Sequence, residues 1–127
     1  MNTLKRWHEI LELRRPDMLD EILAEDCVFF SPVVHTPQQG RELTKLYLTG
    51  AMHVLNKDFH YVKELVTPNH AVLEFVCDVD GISVNGVDII SFDGDGKISE
   101  FKVMVRPLKA INLLHAKMRE MLERLSA

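Results

Sequence analysis

The spacing of apolar residues changes once along this chain, from helical to alternating. Leu4, Trp7, Ile10, Leu11 and Leu13 recur at helical spacing, which predicts an amphipathic helix from about Thr3 to Arg14. Pro16 ends it and opens a second, short helix, in which Asp17 to Leu23 offers Met18, Leu19, Ile22 and Leu23 to a core. Cys27-Val28-Phe29-Phe30 is a short strand entering the Ser31-Pro32 bend, and a loop from Val33 to Gly40 carries His35 and Pro37. A third helix spans Arg41 to about Leu55, its apolar side made by Leu43, Leu46, Tyr47, Leu48, Ala51 and Val54. After it the period shortens. Phe59 to Val66, Ala71 to Val79, Val84 to Phe92 and Lys97 to Val105 read as strands, joined by turns at Pro68-Asn69, Asp80-Gly81 and Asp93-Gly94. Pro107 starts a last helix that runs to about Leu125.

Helices followed by an antiparallel meander give an α+β pattern, not alternating βαβ units. The sheet is apolar on both faces. Leu73, Phe75 and Cys77 alternate with Val72 and Val76, and Val87 and Ile89 back the face that holds Asp88. Helices in a chain this short cover one face, so the second is expected to meet another copy of the chain in a homodimer. The 127 residues contain no repeat, linker or low-complexity segment and are expected to form a single domain, with residues 107–125 as an additional C-terminal helix.

Composition narrows the setting rather than the chemistry. A hydrophobic content of 46% with 27% charged residues is ordinary for a globular protein. A formal net charge of −4 argues against a nucleic-acid or anionic-membrane surface, which calls for a basic stripe. Cys27 and Cys77 sit in apolar strand-like runs and read as buried small hydrophobes of a reducing compartment. No apolar run approaches the roughly 20 residues that span a bilayer. Met1 to Arg15 lacks the apolar core and small-residue cleavage site of a signal peptide, so a cytoplasmic location is expected.

One acid stands out. In Gly86-Val87-Asp88-Ile89-Ile90-Ser91-Phe92, alternation puts Asp88, Ile90 and Phe92 on one face and Val87, Ile89 and Ser91 on the other. A carboxylate on an Ile/Phe face must be paired, hydrogen-bonded, open to a cavity or kept protonated. Asp88 is therefore either a pocket acid able to donate or accept a proton near neutral pH, or a structural acid paired with a Tyr, His or Arg.

With these residues in this order, the chain resembles the SnoaL-like and nuclear-transport-factor-2-like superfamily. Three segments carry the likeness: the first helix with Trp7; Ala24-Glu25-Asp26-Cys27-Val28-Phe29-Phe30-Ser31-Pro32 with the helix start Gly40-Arg41-Glu42; and the strand-turn-strand from Asp88 to Phe101. The resemblance implies a cystatin-like cone in which a curved antiparallel sheet wraps onto N-terminal helices around a pocket. It leaves the substrate open, because the group holds isomerases, cyclases, hydrolases, dehydratases and non-catalytic domains. Its ketosteroid isomerases hold an oxyanion with a tyrosine on the first helix and an acid late in the sheet, and move the proton with an aspartate after the first strand. Those positions fall here on Trp7, Asp88 and Ser31. Trp7 has one N–H to donate, and Ser31 cannot abstract a carbon-bound proton unaided, so ketosteroid isomerisation is not expected.

The remaining candidates follow from that frame. His35, close in sequence to Ser31, is the candidate proton-transfer partner of Asp88, against a reading as a solvated loop residue; His53 is next, and His8, His60, His70 and His115 read as surface or interface residues. Trp7, Tyr47 and Tyr61 are core packing or pocket wall. Phe101, Val103 and Val105 would join Phe29, Leu73, Phe75, Cys77, Ile90 and Phe92 around a mainly apolar cavity, the usual form of a small-molecule site. The C-terminal stripe of Ile111, Leu114, Met118, Met121, Leu122 and Leu125 must be buried, on its own domain or a dimer partner or as a lid. No zinc spacing, phosphate loop or nucleophile elbow is present, Asp93-Gly94-Asp95-Gly96 lacks the spaced ligands of a calcium loop, and no cofactor is expected. Two expectations stand: a pocket for a small hydrophobic organic ligand with cofactor-free isomerase, cyclase or hydrolase-type chemistry, or a non-catalytic dimeric ligand-binding or assembly module.

Overall fold

A six-stranded curved sheet and three helices account for the computed structural model, which describes residues 2–126. Helix α1 (Asn2–Leu13) buries Trp7 and Ile10. A short 3-10 helix, Pro16–Glu21, follows with Pro16 at its start, where a missing N–H costs nothing. Strand β1 runs from Leu23 to Phe30, so Leu23 belongs to a strand and not to a helix end, and the strand begins four residues before Cys27. Pairing of Leu23 with Ile98 across the sheet overrides the local helical spacing. The loop after β1 contains a two-residue strand, β2 (Gln38–Gln39), that pairs with Val28 and Phe29. Helix α2 covers Arg41–Val54. The meander is β3 (Lys57–Val66), β4 (His70–Val79), β5 (Ile82–Phe92) and β6 (Ile98–Arg106), and helix α3 (Leu108–Ser126) closes the chain.

The strand order is β2-β1-β6-β5-β4-β3. The four meander strands pair antiparallel, but β1 pairs with β6 in parallel, so the sheet is mixed. Parallel pairing arises because β1 leaves the sheet through α2 before the meander begins, and β6 returns beside it in the same direction. Register shifts in β3 between Lys57 and His60 and between Tyr61 and Lys63, and at Ser91/Phe92 in the β5–β6 pair, bend the sheet into a trough. The β5–β6 turn is held by Asp93, whose Oδ1 accepts the N–H groups of Asp95 and Lys97, each at 2.9 Å.

Alternate residues of β4 and β5 face the helices: Ala71, Leu73, Phe75, Cys77 and Val79 on one strand, and Val84, Gly86, Asp88, Ile90 and Phe92 on the next. Two buried clusters result. One joins Ile90, Phe92 and Leu73 to Trp7, Ile10, Leu19 and Ile22, and the other joins Phe75, Cys77 and Val84 to Ala110 and Leu114 of α3. Asp88 belongs to neither and is, with Thr44, one of two buried polar residues among those described. Among the described residues, no helix is long and apolar enough to cross a membrane.

Candidate active site

Asp88 sits near the centre of β5, flanked by Leu73 of β4 and Val103 of β6, with Gly86 and Ile90 next to it on the same face. Only 5% of its surface is exposed. Tyr61 reaches it from β3 and donates its O–H to Asp88 Oδ2 at 2.6 Å. Trp7 of α1 donates Nε1–H to Tyr61 Oη at 3.0 Å. The three residues form one directed chain, Trp7 to Tyr61 to Asp88.

Aromatic packing fixes the middle member of that chain. Phe59 and Phe75 stack with ring centres 5.0 Å apart, and Tyr61 stands edge-on to Phe59 at 5.3 Å and to Phe75 at 6.5 Å. Trp7 in turn is edge-on to Phe101 at 5.0 Å. Such contacts fix ring orientation beyond simple burial.

Burial pushes the Asp88 carboxyl from an ordinary 3.8 up to about 7, and the Tyr61 hydrogen bond pulls it back only in part. Among the described residues, Tyr61 alone donates to this carboxyl. The Tyr61 phenol is itself held well above its ordinary value, first by burial and then by the neighbouring charge of Asp88. Tyr61 therefore keeps its proton, and that proton is directed at Oδ2. The Trp7 N–H is equally committed. One proton in the chain is free to come and go near neutral pH, and it is the proton of Asp88.

Removing the Tyr61 donor tests this order. Tyr61→Phe is expected to raise the Asp88 midpoint further and to leave the Trp7 N–H without its acceptor, at about 1–3 kcal/mol in stability. Carboxyl-carbon NMR titration and urea denaturation read the two effects; an Asp88 midpoint that does not move would contradict the assignment.

A cavity of about 580 Å³ opens from this chain, within the usual range for small organic ligands. Its walls come from α1, the loop after β1, the C-terminal half of α2, β3, the sheet centre and α3. Of the residues expected from the sequence, Trp7, Phe29, Ser31, Tyr47, Tyr61, Phe75, Phe101, Val103 and Val105 line it together with Asp88. Four others do not. His35 and His53 are exposed and lie outside the lining, because the loop after Pro32 turns His35 to solvent and α2 presents His53 on its outer side. Ile90 and Phe92 are buried under α1 and the 3-10 helix, where the curved sheet closes on Ile10, Leu19 and Ile22 and leaves no open space. Leu73 and Cys77 are likewise packed in the two clusters and not on the cavity wall.

Ser31 lines the cavity but has a local task. Its Oγ accepts the N–H of Val33 at 3.0 Å and that of Val34 at 3.3 Å, which occupies both lone pairs and leaves only a proton to offer. It is no base. Burial raises both thiols, Cys77 to about 11, so neither cysteine is a nucleophile at neutral pH. Among the described residues, no three His, Cys, Asp or Glu side chains gather where they could hold a metal ion.

The lining also holds residues of the C-terminal stripe and three histidines that the sequence reads as surface or interface residues. Leu114, Met118 and Leu122 of α3 form a wall, so the helix both packs on its own chain and bounds the cavity. Gly50 permits this, because a Cβ there would lie 3.1 Å from Met118 Cε. His8, His60 and His115 reach the cavity as well; His8 pairs with Glu64 at 2.7 Å and stands edge-on to Tyr61 at 5.5 Å. The apolar stripe of α3 was the available signal for its wall. Nothing local marked the histidines.

Residues 4–101 match the SnoaL-like domain family. The fold is similar to the crystal structure of a steroid delta-isomerase from Pseudomonas aeruginosa, at 35% identity and TM-score 0.93 over 99% of this chain and 93% of that one. It is also similar to a protein conserved in bacteria, with a cystatin-like fold, from Silicibacter pomeroyi DSS-3, at 28% identity and TM-score 0.87 over 93% of this chain and 83% of the other. The epoxide hydrolase/cyclase-like enzyme SalBIII of salinomycin pyran-ring formation shares the fold at 14% identity and TM-score 0.67, over 83% and 88% of the two chains. No protein of curated function matches the chain. The family match and the 35%-identical relative together establish that this chain belongs to the SnoaL-like family, built as a cystatin-like, nuclear-transport-factor-2-like cone.

Proposed function

We propose that the protein binds a small, mainly apolar organic molecule bearing a carbonyl group in this cavity and acts on it by cofactor-free acid/base chemistry through Asp88. The observation that carries this reading is the single movable proton of the Trp7–Tyr61–Asp88 chain, set at the buried side of an apolar cavity. When protonated, Asp88 is the donor available to a ligand carbonyl. When ionised, it is the acceptor for an enol or for a proton on the adjacent carbon. Glu12 and Asp88 are the carboxylates that line the cavity, and Glu12 is exposed. Donation and abstraction therefore fall to the same carboxyl. That suits an isomerisation or cyclisation that moves one proton through one group, and not a mechanism with a separate aspartate base. The likeness to a steroid delta-isomerase supports a carbonyl-bearing apolar ligand; the turn-capping role of Ser31 argues that the proton transfer is organised differently here.

A thermal-shift screen of ketones, lactones, steroids and aromatic polyketide fragments, followed by mass spectrometry of each hit, tests the proposal. Hits are expected to be converted with a rate that titrates near pH 7 and falls by about 10²–10⁴-fold in Asp88→Asn. Conversion unchanged in that variant would remove Asp88 from the chemistry. Stabilisation without any product would reduce the protein to the non-catalytic binding module that is the second reading.

The partner we propose is a second copy of the chain, docked through the outer face of the sheet. Leu65 and Met104 are 60% and 52% exposed there, beside the half-buried Val72, Val87 and Ile89. Lys63, Lys102 and Arg106 share this face with Glu74 and Glu100, and charges of both signs on one surface allow a two-fold contact to pair them. Sedimentation is expected to give twice the chain mass, reverting to one chain mass in Met104→Glu; a single chain mass for the unsubstituted protein contradicts the dimer. Both cysteines are free and buried, which supports a reducing, cytoplasmic setting.

A further inference from the structure

The cavity carries a second polar feature, remote in kind from Asp88. Arg14, just past the end of α1, and Arg119 of α3 both line it, and both are exposed. Most arginines elsewhere on the chain are committed to acids: Arg6 to Glu9 and Glu21, Arg15 to Asp17, and Arg124 to Glu120. Arg14 and Arg119 are not. Among the described residues, Arg14 donates to the Met52 carbonyl at 3.3 Å and Arg119 to His115 Nε2 at 3.1 Å, and neither has a carboxylate within ion-pair distance. The His115 contact fixes one guanidinium N–H and leaves the others free.

Charge balance makes the placement informative. The chain as a whole has a formal charge of −4. Of the exposed charged residues in the cavity lining, two are arginines and one is an acid, Glu12, while His8 in the same lining is already paired with Glu64. Apolar walls concentrate the field of such a rim on whatever enters. Between the rim and Asp88 the lining is largely apolar, with Phe29, Tyr47, Met52, Leu55, Leu114 and Met118 on its walls.

We propose that the ligand is an amphipathic acid: a carboxylate held by Arg14 and Arg119 at the rim, an apolar body along the walls, and a carbonyl presented to Asp88. A guanidinium presents a planar fork of N–H donors that matches a carboxylate, and two such groups at one opening select for that anion over its neutral analogues. This rests on the reading of the cavity as a carbonyl-ligand site. It adds what that reading leaves open, the charge of the substrate. It also gives α3, which lies beyond the residues matched to the family, a part in choosing the ligand.

The test compares 4-oxo-4-phenylbutanoate with its uncharged primary amide by calorimetric titration, in the unsubstituted protein and in Arg14→Gln, Arg119→Gln and the double variant. Both substituted residues are exposed, so the fold is retained. The acid is expected to bind on the order of tenfold more tightly than the amide at low salt, each arginine supplying a few-fold. The preference should shrink at 0.5 M salt and vanish in the double variant, while amide affinity stays unchanged. Equal binding of acid and amide, or a preference that persists without both arginines, overturns the proposal. If the amide then still binds and loses affinity in Asp88→Asn, the cavity reading survives that failure. If neither compound binds, both fall together.

Discussion

Asp88→Asn is expected to make the protein more stable at pH 8 than the unsubstituted chain, with the two converging near pH 4. Burial raises the native carboxyl from 3.8 to about 7, whereas the unfolded chain releases the same proton near the ordinary value. Between those values the native state holds a proton that the unfolded state has lost, so stability falls as pH rises. The contribution is fully present below about pH 4 and is gone above about pH 7. The gap from 3.8 to about 7 corresponds to roughly 4 kcal/mol as an upper figure. Asparagine keeps an acceptor for the Tyr61 O–H and carries no charge at any pH, so it removes the penalty without opening a void. Thermal melts at pH 4, 6 and 8 read the effect. A purely structural acid gives the opposite pattern, with the variant less stable than the parent by a similar margin at every pH. A residue that lowers stability at physiological pH and contributes a proton to a cavity is one whose placement serves a site and not the fold.

Gly86→Ala carries the second large effect. Gly86 faces Phe75 directly across the β4–β5 pair, and a Cβ there would lie 2.2 Å from Phe75 Cζ and 2.9 Å from the Met104 carbonyl oxygen. The phenyl ring therefore lies over the glycine, where it stacks on Phe59 and bounds the cavity beside Tyr61. Alanine forces the ring outward into the space meant for ligand. Overpacking of this kind costs about 1–3 kcal/mol, and the backbone contact places this case toward the upper end. Phe75→Leu in the Gly86→Ala background should recover part of the loss, with a coupling energy of about 1 kcal/mol or more between the two sites. The carbonyl contact remains in the double variant, so recovery is incomplete. Urea denaturation of the four proteins completes the cycle, and simple additivity would show that the ring does not depend on the glycine.

Alternation along β5 was enough to single out Asp88, because an acid among Ile and Phe on one face has few physical explanations. Its partner was harder to find. Tyr61 reaches Asp88 from a strand two removed in the sheet, and its aim depends on register shifts in β3 that no local pattern announces. Trp7 reads from sequence as a single weak donor; in the fold that donor is spent on Tyr61, so the residue orients the site through its N–H while its ring lines the cavity. Proximity in sequence misled for His35: four residues beyond Ser31, it is carried to solvent by a loop whose direction is set by the Ser31 turn. The parallel pairing of β1 with β6 was equally hidden, since a strand's period says nothing about its neighbour's direction. Ile90 and Phe92 failed as wall residues for a related reason: facing inward along a curved sheet does not distinguish open cavity from covered core. Residues far apart in sequence, Arg14 and Arg119 among them, come to line one cavity only once α3 lies against α2.

The most direct test of the central claim is a titration of the Asp88 carboxyl carbon by NMR, without ligand and with a bound aryl ketone from the screen. The account predicts a midpoint near 7 that moves when the ketone binds, because the ligand oxygen competes for the one free proton of the Trp7–Tyr61–Asp88 chain. A midpoint at the ordinary carboxyl value, unchanged by a ligand shown to occupy the cavity, would contradict it.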